Sequence, residues 1–194
     1  MRIRSAMRER DQRYLLKGLV EMDEAYLGAP KRGQKRGRGT ERGKMAIAVS
    51  KDGKGRPQFL HLQTIPDITT ATLQSVVDGH VEAGSAIECD GLRSYAGLKN
   101  VTVNAAKYET GDLVWVHTVI GNFKAFLLGT YHGSCGNYQP YLDEFCFRFN
   151  RRFHPHTALF AAFKSCCYIL CYAESSRYAY KLIIKTRIIL CVYI

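Results

Sequence analysis

The sequence predicts an α/β domain built on one mixed sheet with flanking helices, and three features carry that expectation. Leu19 to Leu27 alternates in the manner of a strand with one buried face. Met45-Ala46-Ile47-Ala48-Val49 and Phe59 to Ile65 are short apolar or alternating runs split by Asp52-Gly53 and Gly55, the signature of a hairpin. A helical repeat then leads into Ile87-Glu88-Cys89-Asp90-Gly91, which reads as a short buried strand stopped by an Asp-Gly turn. The order is three antiparallel strands, helix, strand.

The remaining segments fall around this frame. Residues 1–17 read as a basic amphipathic helix broken by Gly18. Lys31 to Lys44 holds seven basic residues, one acid and several glycines without apolar periodicity, which predicts a solvated arm. Thr69 or Thr70 is suited to cap a helix whose apolar positions are Leu73, Val76, Val77 and Val81, with Gly84 beyond its end. Leu92 to Leu98 predicts a short helix. Val119, Phe123, Phe126 and Leu127 recur at helical intervals over Val119 to Leu128, as do Tyr138, Tyr141, Phe145 and Phe149 over Tyr138 to Phe153, and both stripes read as core. After about Lys164 the apolar residues lose their period. The expected division is therefore 1–17 as a helical linker remnant, 18–163 as the domain and 164–194 as an atypical, non-native tail.

Composition bounds the function classes. At 194 residues, with 46% apolar and 23% charged residues, the chain is of a size and type to bury one core. Lys and Arg outnumber Asp and Glu by 28 to 17, for a net charge of +11, which implies a polyanionic partner: nucleic acid, or alternatively a membrane surface. Seven cysteines with no zinc-ribbon or disulfide spacing point to a reducing compartment. Met1 to Asp11 is too charged for a secretory signal, and Leu182 to Ile194 is too short to span a bilayer and carries Lys185 and Arg187. A cytoplasmic protein without membrane attachment is expected.

Asp23 and Asp90 are the candidate chemical pair. Phosphoryl transfer on DNA uses divalent cations, and magnesium and manganese prefer oxygen ligands on rigid elements. Asp23 lies in the first strand and Asp90 ends the strand after the helix, so the two carboxylates can converge across the 66 residues between them. Residue type alone leaves other readings open: Asp90 as an ordinary Asp-Gly turn residue, Asp23 as a strand residue facing solvent.

Several words of the sequence resemble one family. Leu19-Val20-Glu21-Met22-Asp23-Glu24-Ala25-Tyr26, preceded by Met7-Arg8-Glu9-Arg10-Asp11, looks like a first acidic motif, and Cys89-Asp90-Gly91-Leu92-Arg93-Ser94-Tyr95 like a second. Val116-His117-Thr118-Val119-Ile120-Gly121-Asn122-Phe123-Lys124 looks like a third, while Gly129 to Gly133 and Tyr141 to Arg152 look like a closing signature. Together they resemble the DDE-type insertion-sequence transposases, specifically insertion-sequence family 1595 with its ISXO-type catalytic domain. The resemblance implies a ribonuclease-H-like, retroviral-integrase-like core and a metal-dependent transposase that cleaves and joins DNA strands at transposon ends, with Mg2+ or Mn2+ held by Asp23, Asp90 and Asn122. Asn122 marks the Asp-Asp-Asn branch, in which asparagine stands where most relatives have glutamate, so the site would supply two negative charges rather than three.

The same resemblance places DNA along the basic residues. Lys31, Arg32, Lys35, Arg36, Arg38, Arg42 and Lys44 would track phosphates, or alternatively form a solubilising loop; Arg148, Arg151 and Arg152 would extend that surface. Lys124 is assigned to phosphate contact, because two residues turn a helix by roughly 200° and so remove it from Asn122's face. His117 and His132 would grip the strand, position water or serve the structure; Trp115 would stack on a base or sit in the core. Full-length relatives carry a zinc ribbon and helix-turn-helix ahead of the first acid, so a truncated copy is expected, homodimeric on DNA. The competing expectations are a non-catalytic nucleic-acid-binding remnant and a general metal nuclease of the same fold.

Overall fold

The computed structural model describes residues 2–28, 33, 42–105, 113–131 and 136–153. The atypical tail, His132 and most of the basic arm, including Lys31, Arg32, Lys35, Arg36 and Arg38, lie outside the described residues. Helix α1 (Arg2–Asp11) precedes β1 (Leu19–Tyr26), β2 (Lys44–Lys51), β3 (Pro57–Ile65), α2 (Thr70–His80), β4 (Ala86–Cys89), β5 (Thr102–Ala105), α3 (Val114–Tyr131) and α4 (Gln139–Asn150). The five strands form one sheet in the order β3-β2-β1-β4-β5. β1 pairs antiparallel with β2 and β2 with β3, whereas β4 runs parallel to β1 and β5 parallel to β4. This is the ribonuclease-H-like mixed sheet that the sequence predicts.

Alternation along β1 divides its side chains between two cores. Val20 and Met22 point into the core beneath α2, with Leu73, Val76, Val77 and Ile87. The opposite face of β2 and β3, through Met45, Ile47, Val49, Leu60 and Leu62, packs on α3 and α4 through Val116, Val119, Phe123, Leu142 and Cys146. Thr69 caps α2 by accepting the Thr72 N–H, as the sequence suggests. The expected helix over 92–98 is only a short 3-10 turn, Arg93–Tyr95.

Helix α4 covers the open edge of the sheet. The Gln139 side chain accepts the Thr64 N–H at 2.8 Å, and Asn150 accepts the Leu60 N–H at 2.7 Å while donating back to the Leu60 carbonyl at 3.1 Å. These bonds satisfy edge-strand groups that would otherwise invite another chain. α1 packs along α4, with Ala6 fully buried, Arg4 paired with Glu144 at 2.8 Å and Asp11 paired with Arg151 at 2.7 Å.

Helix α3 is fixed at its foot by one buried carboxylate. Glu21, 2% exposed, accepts the Trp115 N–H at 2.9 Å and the Val116 N–H at 3.0 Å, two of the first-turn donors that a helix leaves unpaired. Lys51 supplies the countercharge, 3.3 Å from Glu21 and bonded also to Glu88. Burial pulls the Lys51 ammonium down, but the Glu88 hydrogen bond and the Glu21 charge outweigh it and leave its pKa raised. From this foot, where the Trp115 indole also donates to Gly55 at the β2–β3 hairpin, α3 rises beside β1. Replacing Glu21 with alanine leaves Lys51 with Glu88 alone and strands both helix donors, and is expected to cost about 2–4 kcal/mol in urea unfolding. A loss under about 0.5 kcal/mol, the scale of an ordinary surface change, would show that α3 is held by its apolar face alone.

Candidate metal and DNA site

The pairing of β1 with β4 decides where the acids lie. Leu19 pairs with Ala86, Val20 with Ile87 and Glu21 with Glu88 in parallel register. Continuing that register by two residues sets Asp23 opposite Asp90, on neighbouring strands about 4.8 Å apart. Both carboxylates fall on the face that carries Glu21 and Glu88, because side chains alternate along each strand. Gly91, with φ at +78°, then turns the chain out of β4, and Asp90 Oδ1 accepts the Leu92 N–H at 3.0 Å to close that turn. Asp90 is thus the turn residue that composition suggests, and it is also Asp23's neighbour.

Two acid pairs therefore stand in line on one face, in different electrostatic settings. Glu21 and Glu88 share Lys51. Asp23 and Asp90 have no such partner: among the described residues neither makes an ion pair. Asp23 is half-buried, with Oδ1 accepting the Glu24 N–H at 2.8 Å. Burial raises its pKa above the ordinary 3.8; the Glu24 N–H opposes this, the Asp90 charge adds to it and His117 opposes it. Glu24, next in the strand, points to the other core, where burial and then the Glu24 charge hold the Tyr95 hydroxyl far above its usual range.

The third expected ligand, Asn122, is exposed on α3. At about 100° per residue, Asn122 sits roughly 140° around α3 from His117, whose charge lowers the Asp23 pKa. It shares its flank instead with Trp115, bonded to the hairpin at 2.7 Å, and with Phe126, whose ring stands 5.5 Å from Phe145 of α4. That flank looks toward α4. Asp23 and Asp90 are neighbours at the ends of β1 and β4. Lys124 follows His117's flank, as the sequence argument requires, and is exposed.

The basic residues divide in the same concrete way. Arg151 is occupied by Asp11 and the Phe147 ring, 3.8 Å from its guanidinium carbon. Arg152 donates to the Pro57, Gln58 and Phe149 carbonyls, and burial lowers its pKa. These two arginines fasten α4 to α1 and to the start of β3. Arg148 pairs with Glu144 but stays 63% exposed at its side chain. Arg42 bonds the Gly28 carbonyl and lies over Tyr26, closing the base of the arm where the Leu27 N–H meets the Gly43 carbonyl; Lys44 donates to Pro66. The arm thus springs from the end of the sheet that bears Asp23 and Asp90. Sequence reasoning missed Glu21, Lys51 and Glu88, although Glu21 lies two residues before Asp23 and so shares its strand face.

Among the described residues no three His, Cys, Asp or Glu side chains are grouped to hold a metal ion, and no helix is long and apolar enough to cross a membrane. Two carboxylates suit a hard cation but supply fewer ligands than magnesium or calcium usually takes from protein and water together.

The model of the ISXO2-like transposase domain matches residues 15–150. No curated protein matches the chain. Solved structures that resemble it include the catalytic core domain of BIV integrase, at 12% identity and a TM-score of 0.47, covering 70% of this chain and 84% of that one. A pre-cleavage Mos1 transpososome has 10% identity and a TM-score of 0.34, covering 84% and 61%. A Mos1 transposase paired-end complex with the left transposon end has 11% identity and a TM-score of 0.30, with the same coverage.

The raised Asp23 pKa has a consequence for stability. An acid whose folded pKa exceeds its unfolded value stabilises the fold only while protonated, so the ionised group costs stability as pH rises above the ordinary 3.8. In metal-free buffer Asp23→Asn is expected to raise Tm at pH 7, with the gain vanishing as pH falls toward that value. A lower Tm for the variant at pH 7 would contradict the uncompensated pair.

Proposed function

This chain belongs to the ISXO2-like transposase domain family, and from that premise we propose that it binds DNA and that Asp23 and Asp90 hold the divalent cation of a strand-cleaving and strand-joining site. The observation that carries the reading is the β1–β4 register, which sets two carboxylates of like charge side by side without a protein cation to offset them. Asp23 and Asp90 would hold Mg2+ or Mn2+, which when bound would supply Lewis-acid chemistry for phosphoryl transfer. Oxygen-only donors on two strand ends fit such a hard ion.

The chain's own groups would do the rest. The arm rooted at Leu27 and Gly43 would lay Lys31, Arg32, Lys35, Arg36 and Arg38 along the backbone, neutralising phosphates without reading bases. Arg42 and Lys44 at its root, Lys124 beside the acids and the exposed side of Arg148 would continue that track. His117, whose charge acts on Asp23, would orient a water or a strand terminus near the acids. Transposon ends and target DNA are the proposed substrates, and two copies assembled on DNA the proposed working state.

The test is a strand-transfer assay on pre-cut transposon ends with Mg2+, with Mn2+ and without metal. Joining that requires metal and disappears in Asp90→Asn supports the reading. DNA binding with no chemistry under any metal would favour a nucleic-acid-binding remnant, hydrolysis without joining would favour a nuclease, and joining that survives Asp90→Asn would remove the acid pair from the site.

A further inference from the structure

A cavity of about 180 Å³ lies at the β3 edge of the sheet, lined from α1, β3, the last residue of α2 and α4. None of its lining residues belongs to β1 or β4, so it is separate from the Asp23–Asp90 site. It is larger than the roughly 150 Å³ hole that admits a benzene ring, which leaves room for one planar ring with polar substituents. Tyr14 and Phe59 stand exposed in its wall with their rings 11° from parallel. The His61 and His80 imidazoles, also in the lining, stack with centroids 3.5 Å apart.

Charge limits what the cavity can hold. Burial, and next the charge of His80, pushes His61 down to about 3, and burial lowers His80 as well, so both rings are neutral at pH 7. The Arg8 charge is felt by Asp143 in the same lining, while Asp11 is taken by Arg151 and Asn150. No surplus of positive charge is left to hold a phosphate. Among the described residues no three ligating side chains are grouped to hold a metal either.

Hydrogen bonding narrows the choice further. Gln139 and Asn150 spend their side chains on the β3 backbone and on Asp143 and Asp11. What remains is the Arg8 guanidinium, the Asp143 oxygen not bonded to Gln139, and the buried His80 Nδ1, which has no partner among the described residues. Arg8 and Asp143 make no ion pair with each other. A molecule offering two adjacent acceptors to the guanidinium and a neighbouring donor to the carboxylate would join them. Guanine carries that run in its N7, O6 and N1–H, and cytosine in its O2, N3 and exocyclic amine. Adenine has no two adjacent acceptors, and those of thymine are split by an N–H.

We propose that this cavity binds an unpaired nucleobase, guanine or cytosine in preference to adenine or thymine, with Arg8 and Asp143 on its polar edge and Tyr14 against its face. An uncharged, planar ring that both donates and accepts is the one ligand class that suits the neutral imidazoles, the exposed aromatic pair and the unjoined Arg8 and Asp143 together. The base can come from a free nucleoside or from a single strand, and the contacts are the same. The inference needs neither metal nor strand chemistry, so it stands apart from the acid pair.

Titration of the full chain with the four deoxynucleosides, followed by backbone amide NMR shifts, tests this without phosphate and hence without the basic surface. Deoxyguanosine and deoxycytidine are expected to shift the Leu62, His80 and Asp143 amides and to bind at least about fivefold tighter than deoxyadenosine and thymidine, the lower end of a good bidentate base contact. Arg8→Ala is expected to erase that preference and Tyr14→Ala to weaken all four alike; both residues are exposed, so neither change removes core. No shift at those amides with any nucleoside would overturn the proposal. So would a preference unchanged in Arg8→Ala, or inorganic phosphate moving the same amides, which would mark an anion site. A short single strand of cytosines that displaces deoxycytidine assigns the base to an unpaired strand, and one that does not assigns it to the free nucleoside. Displacement by the matching duplex would contradict a site for an unpaired base.

Discussion

Everything at the candidate site depends on one buried carboxylate, that of Glu21. Glu21 is buried on the middle strand, where an ionised group is tolerated only with close compensation. It has three sources: the Lys51 ammonium, and the Trp115 and Val116 N–H groups at the positive end of α3. Those bonds fix both the height and the rotation of α3 against β1. Because helix side chains repeat every 3.6 residues, fixing the foot fixes which residues further up can look at Asp23.

The strand face of β1 shows one motif used twice with opposite outcomes. At the level of Glu21 and Glu88, a lysine from β2 lies between the acids and turns them into a structural clamp. At the level of Asp23 and Asp90 the sheet supplies no lysine, and burial leaves Asp23 reluctant to ionise. The stretch that locks the helix and the stretch open to a cation are adjacent because both follow from one parallel register. Placing the uncompensated pair at the strand ends, beside the root of the basic arm, leaves it open to a phosphate backbone.

The sheet was legible in the sequence because its signals are local: alternation in β1, a glycine-bearing hairpin between β2 and β3, and an Asp-Gly stop after β4. Strand β5 was not, since Thr102 to Ala105 is short and mostly exposed, leaving no apolar run to detect. The Asp23–Asp90 pairing followed from strand order. The facing of α3 did not, because rotation of a helix about its axis is set by remote contacts such as Glu21 and Phe145 that no stripe of apolar residues reveals. For the same reason Arg151 and Arg152 read as free charges in sequence, while in space Asp11 and the Pro57 and Gln58 carbonyls occupy them.

The central claim is that Asp23 and Asp90 share one divalent cation at the end of β1 and β4. Paramagnetic broadening of backbone amide signals by substoichiometric Mn2+ locates such an ion directly. The account predicts that Asp23, Glu24, Gly91 and Leu92 broaden first, with His117 of α3 next, and that Asp90→Asn abolishes the effect. Broadening centred instead on the Glu21–Glu88 pair, or unchanged in Asp90→Asn, would contradict it.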